Sequence, residues 1–180
     1  MPHQKGNEHW HYGVISRSLH WTLAILIISM ISVGWYMMSI AEQPDSRVFF
    51  NLHKSFGIIT GVLVVLSVLW RINHKPAPLP VSVALWQVRV AHLVKMLLYV
   101  CMIAMPLTGF LGASFGQHGI AFFGWPIPTW VTQNAQLSEE LFEIHGVVVW
   151  ILVGLIAVHV LAALKHLLID RDGVFQRMWK

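Results

Sequence analysis

The sequence predicts an all-α protein, a four-helix transmembrane bundle with both termini cytoplasmic. Three observations carry that expectation. Only 11% of the 180 residues are charged while 56% are apolar, far from the averages of soluble domains. The charges leave long uncharged runs: none falls between Arg17 and Glu42, Lys54 and Arg71, Lys95 and Glu139, or Glu143 and Lys165. Finally, histidine, which is costly in hydrocarbon and marks function there, sits in all four long apolar stretches, always near an end.

Uncharged apolar runs of about 17–25 residues read as membrane-crossing helices. The spans are placed near 18–40, 52–72, 91–113 and 142–167 within a single integral-membrane domain, 1–180. The first follows a polar, His-rich leader and is too long for a signal-peptide core, so no cleaved signal is expected. The second is the shortest, and needs Lys54 to snorkel at its start. Pro106 should kink the third. The fourth carries His145, His159 and His166. The connection 114–141 is rich in Gly, Pro and Trp and shows no periodic pattern. Gly57 and Gly61 form a G-x-x-x-G pair suited to close helix approach, and Gly57 could also make room for a flat macrocycle. Cys101 is the only cysteine, so a disulfide within the chain and a Cys-based metal site are excluded.

Ten of the twelve cations fall in the leader, the connection between spans two and three with its flanks, and the C-terminal tail. Arg47 and Lys54 lie on the other side. The positive-inside rule therefore puts both termini in the cytoplasm. The net charge of +4 reports topology and contact with anionic membrane lipid, not nucleic acid. Trp21, Trp70, Trp86 and Trp150 near span ends fit an interfacial belt.

With that orientation, His20 and His92 lie near the cytoplasmic face and His53 and His145 near the outer face. His159 returns towards the cytoplasm and His166 reaches the boundary. His145 and His159 are fourteen residues apart, an advance of about 21 Å with a return to within roughly 40° of one face. One helix can thus present two imidazoles at two depths. Two axial imidazoles suit a six-coordinate b-type haem, and the chain has no Cys-x-x-Cys-His for covalent attachment. At the outer depth the pair can only be His53 with His145. At the inner depth His159 takes either His20 or His92, and symmetry favours His20. His3, His9, His11, His74 and His118 lie in the leader or loops, as surface residues.

Several motifs resemble the bacterial cytochrome b561 family. They are Tyr12-Gly13-Val14-Ile15-Ser16 with Leu19-His20-Trp21, Leu52-His53-Lys54-Ser55 before Gly57, and Ala91-His92-Leu93 leading to Tyr99. Met105-Pro106-Leu107-Thr108-Gly109, His145-Gly146, and His159 followed by Ala162-Ala163-Leu164-Lys165-His166 and Asp170 complete the set. The resemblance covers 12–180 and implies a four-helix bundle with two haem b groups. His53 and His145 would ligate the periplasmic haem, and His20 and His159 the cytoplasmic one. His92 and His166 match further family histidines, His166 on the ubiquinone side. Some members oxidise superoxide and pass electrons to ubiquinone, while others are membrane subunits of hydrogenases and periplasmic dehydrogenases. Lys95 departs from the pattern, standing where some relatives carry a histidine.

The expected function is electron transfer from a periplasmic donor, superoxide in the first place, to membrane quinone. Lys54 and Arg47 are the candidates to steer the superoxide anion. His166 and His92 are the candidates to supply protons, since imidazole titrates near neutrality. The alternative is an electron-carrying subunit docked to a periplasmic electron-donor protein. A proton or metal transporter would call for intramembrane carboxylates, and Glu143, at a span's edge, is the one acid near any span.

Overall fold

A computed structural model describes residues 11–74, 83–128 and 130–179. Four long helices dominate: α1 (Val14–Ser39), α2 (Ser46–Asn73), α3 (Leu85–Phe115) and α4 (Ala135–Lys165). All four are long and apolar enough to cross a membrane. Each begins before its predicted span, because hydropathy marks the segment that must sit in hydrocarbon while the hydrogen-bonded helix extends beyond it. The largest difference is at α4, which starts seven residues before 142. There the Asn134 side chain caps the helix, accepting from the Leu137 N–H at 3.0 Å.

Neighbouring helices pack in the order α1–α2–α3–α4. Few side chains are buried, and large apolar residues such as Ile25, Val62, Val100, Val147 and Leu161 face outward, as a lipid-facing surface requires. Hydroxyls on the helices are internally bonded: Ser32, Thr60, Thr108 and Ser114 each donate to the carbonyl four residues back. Small residues set the close approaches. A Cβ on Gly61 would lie 3.0 Å from Pro106 of α3, and one on Gly57 3.7 Å from Met30. Gly57 therefore adjoins Met30 at a distance that would accept a Cβ without strain, whereas Gly61 makes a tight approach.

One element departs from the all-α expectation. Residues Ile120–Phe122 (β1) and Trp125–Ile127 (β2) form an antiparallel hairpin in the connection between α3 and α4, pairing Phe122 with Trp125. Phe123 and Gly124 both take positive φ, 46° and 89°, the two-residue turn whose twist matches a hairpin. Three-residue strands leave too short a trace for a period-two pattern to register.

The hairpin lies at one end of the bundle. The opposite, terminal end gathers both chain ends: Tyr12 N–H donates to Arg177 O at 3.1 Å, and Trp21 Nε1 to Met178 O at 3.1 Å. After α4 comes a π-helical turn, His166–Asp170, and then the short helix α5 (Gln176–Trp179) beside the start of α1.

Candidate functional site

The bundle brings histidines together as two ring pairs. Near the hairpin end, His53 of α2 faces His145 of α4 with ring centroids 6.4 Å apart. Near the terminal end, His20 of α1 faces His159 of α4 at 6.2 Å. Neither pair stacks or hydrogen-bonds ring to ring, the planes being inclined by 76° and 65°. A metal ion bound about 2.0–2.1 Å from one nitrogen of each ring would hold the centroids roughly 6–6.5 Å apart. Both separations fit a single metal between two imidazoles.

The tautomer of His145 follows from its neighbours. Its Nδ1 lies 3.0 Å from Met105 O and 3.1 Å from Thr108 Oγ1. A carbonyl oxygen only accepts, so Nδ1 carries the proton and Nε2 keeps its lone pair for a metal. A backbone acceptor behind the ring is the outer-shell support that ligating histidines use. Thr108 is held in place by donating to Ala104 O at 2.7 Å. His53 is the opposite case: its Nδ1 is buried without a hydrogen-bond partner. Glycines admit both rings. A Cβ on Gly109 would stand 3.1 Å from His145 Cε1, and one on Gly34 3.3 Å from His53 Cε1. The donor set, the ring spacing and these glycine clearances fit a bis-histidine macrocycle.

His92, the rival to His20, makes no ring contact with His159. It is exposed, with Nδ1 3.1 Å from Val88 O, and lines a cavity of about 560 Å³ with Lys95, Tyr99 and Ile103. His166 lies beyond the terminal-end pair, its Nδ1 2.6 Å from Asp172 Oδ2 and 3.4 Å from Asp170. Lys165 pairs with the same Asp170. Among the surface histidines, His11 and His118 are exposed, and His74 stacks on Trp70 at 3.7 Å. His3 and His9 fall outside the described residues.

The two cations at the hairpin end differ. Arg47 is exposed on the first turn of α2. Lys54 turns to the hairpin connection and donates to Gly119 O at 3.0 Å. Ser55, fully buried, accepts from Phe123 N–H at 2.9 Å, and its hydroxyl lies 2.8 Å from Asn51 O and 3.4 Å from Ala121 O. The residues following His53 thereby clamp the hairpin onto α2. Sequence patterns did not expose this clamp, although Lys54 and Ser55 sit in a recognised motif. Also missed was the gathering of Arg71 and Arg177 around the Tyr12 ring, at 5.1 and 5.3 Å. Burial pulls the Arg177 guanidinium below its usual pKa, with Tyr12 opposing and Arg71 adding to the shift. Of the belt tryptophans, Trp86 and Trp150 are exposed, whereas Trp21 and Trp70 donate internally, Trp70 to Ser16 Oγ at 3.0 Å.

The chain belongs to the prokaryotic cytochrome b561 family, whose model matches residues 11–180. It is 32% identical over 178 residues to cytochrome b561 homolog 2 of Escherichia coli K12, covering 93% of this chain and 90% of the relative. It is 30% identical to cytochrome b561 homolog 1 of the same organism, over 89% and 92% of the two chains. A third relative, the probable superoxide oxidase CybB of Yersinia pestis, is 25% identical over 94% and 96%. Membership makes the chain a bacterial helical membrane protein of electron transfer and implies haem b as its cofactor.

Proposed function

We propose that the protein holds two b haems, one near each membrane face, and carries electrons from superoxide at the periplasmic side to ubiquinone near the cytoplasmic side. His53 and His145 would hold the haem at the hairpin end, and His20 and His159 the one at the terminal end. The observation that carries this reading is the protonated Nδ1 of His145, held by Met105 O, which leaves Nε2 as a ligand opposite His53. Bound haem supplies one-electron carriage. The net reaction balances with two superoxide anions, one quinone and two protons yielding two dioxygen molecules and one quinol.

The chain's own residues do the rest. Arg47 and Lys54 are the cations that would draw an anion to the hairpin end, against the exposed carboxylates of Glu42, Asp45, Glu139, Glu140 and Glu143 at that end. His166, oriented by Asp172, and His92, oriented by Val88 O, are the proton donors on the quinone side. Placing the terminal end in the cytoplasm of the inner membrane rests on the cations Arg17, Arg71, Arg89, Lys95, Lys165, Arg171 and Arg177 at that end. A periplasm-active reporter inserted in 114–138 should work, and one fused after Lys180 should not; the reverse pattern would exchange the two faces.

Superoxide supplied to the purified haem-loaded protein should reduce haem, and added ubiquinone should reoxidise it. Haem reduction no faster than in a control lacking the protein would overturn the superoxide reading. The subunit reading draws support from the aromatic surface at the hairpin end, where Trp125 and Trp130 are 79% and 78% exposed. Co-purification of a periplasmic iron–sulfur protein through that face would favour it.

A further inference from the structure

Three basic side chains from three helices converge at the terminal end. Arg71, in the last turn of α2, places its guanidinium carbon 5.1 Å from the Tyr12 ring centroid and a nitrogen 3.4 Å from the phenol oxygen. Arg177 of α5 approaches the same ring to 5.3 Å and is only 3% exposed. Lys95 of α3 is half-buried and within electrostatic reach of Arg71, Tyr12 and Arg177. Among the described residues, no carboxylate lies within ion-pair distance of Arg71 or Lys95, since the ion pairs there join Lys165 and His166 to Asp170 and Asp172.

Gathering like charges away from bulk water is unfavourable unless an anion joins them. The Tyr12 face offsets part of the repulsion through cation–π attraction, but a neutral ring does not cancel the charges of Arg71 and Lys95. The gathering lies at the same end of the bundle as the His20–His159 pair. Tyr12 is eight residues before His20, and the Trp21 indole next to His20 donates to Met178 O, one residue past Arg177. A macrocycle between those rings carries its own anions, two propionate carboxylates, and guanidinium and ammonium groups are their natural partners.

We propose that Arg71, Lys95 and Arg177 form the carboxylate site for the propionates of the terminal-end haem, and that their charge raises that haem's reduction potential. The inference rests on the proposed His20–His159 pairing. Reduction adds a negative charge to the haem, so nearby cations favour the reduced form. The hairpin end lacks a matching group: Lys54 is bound to Gly119 O and Arg47 is exposed to solvent. The charge difference alone then biases electrons towards the terminal end.

The test is a potentiometric titration of haem-loaded Arg71→Gln, Lys95→Gln and the double variant. Arg89→Gln, exposed at the start of α3, serves as the control. Each single variant should keep both haems and lower the terminal-end midpoint alone. The expected change in its reduction equilibrium is about three- to tenfold, or roughly 30–60 mV for a one-electron couple. The double variant should move further, while Arg71→Lys should stay near the parent and Arg89→Gln should not move. Unchanged midpoints in both single variants with both haems present would overturn the proposal. So would loss of bound lipid phosphorus without a potential shift, which would assign the cations to an anionic headgroup. A parent protein with only one haem would instead strike the pairing, and is read before any variant is made.

Discussion

The two ends of the bundle hold similar histidine pairs by different means. At the hairpin end the support is hydrogen bonding and shape. Met105 O and Thr108 stand behind His145, Gly109 and Gly34 leave room for the rings, and the Lys54–Ser55 clamp closes the hairpin onto α2. At the terminal end the support is aromatic packing and charge. His20 meets Trp21 at 5.2 Å, Trp21 meets Trp179 at 5.5 Å, and Arg71, Lys95 and Arg177 gather near Tyr12. The hairpin end is built to place a ligand exactly where a backbone carbonyl allows it, while the terminal end is built to set an electrical environment. Geometry should therefore govern haem occupancy at the first, and charge should govern potential at the second.

The largest effect separates the ends outright. His145→Ala or His53→Ala should remove the hairpin-end haem and leave the other, halving haem per chain in a pyridine haemochrome assay. His159→Ala and His20→Ala should do the converse. His92→Ala should keep both haems, because His92 meets neither His20 nor His159. Loss of the terminal-end haem in His92→Ala, with retention in His20→Ala, would break the pairing.

A subtler substitution probes shape. Gly109→Ala places a methyl 3.1 Å from His145 Cε1, tighter than ordinary packing, so the ring must shift off Met105 O or the helices must part. Overpacking of this kind typically costs about 1–3 kcal/mol. The expected result is partial loss of the hairpin-end haem alone, seen as a lowered ratio of the two spectral components. Gly34→Ala, with 3.3 Å to His53, should act in the same direction and less. Equal loss of both haems would show that the glycines serve general helix packing.

The clamp is a further point of difference between the ends. Ser55→Ala removes the buried acceptor of the Phe123 N–H. Loss of one such hydrogen bond costs about 0.5–1.5 kcal/mol. Hydrogen exchange should quicken at 119–127 while the terminal end is unchanged, and an unaltered exchange rate there would remove the clamp from the argument.

The spans were legible in the sequence because they depend on composition along one chain, and two levels of histidine were expected from period. His145 and His159 share a face by helix arithmetic alone, and the observed ring pairs follow that arithmetic. Features assembled across elements were not legible. Tyr12, Arg71, Lys95 and Arg177 are scattered over the whole length, and only packing brings them together. The acceptor behind His145 was hidden for another reason: Met105 contributes its backbone carbonyl, so its side-chain identity carries no signal. The hairpin was missed because its strands are three residues long, and its Phe123-Gly124 turn is weaker evidence than Asn-Gly. The early start of α4 lay in a polar stretch with Glu139 and Glu140, outside any hydropathy window.

The smallest expected effect concerns how an anion finds the hairpin end. Arg47 is exposed and far from needing to touch anything, so its contribution is a field in water. Such fields reach about 10 Å at 0.1 M ionic strength and about 30 Å at 0.01 M. Arg47→Gln should therefore slow superoxide-driven haem reduction by less than about twofold at physiological salt, and by more at low salt. Lys54→Gln removes the same unit of charge but also releases Gly119 O, so its effect should persist when salt is raised. Stopped-flow rates across an ionic-strength series separate the two, because screening suppresses the electrostatic part and spares the structural part. If the Arg47→Gln rate ratio stays constant across the series, steering by that charge is excluded, and the hairpin end influences the donor through shape alone.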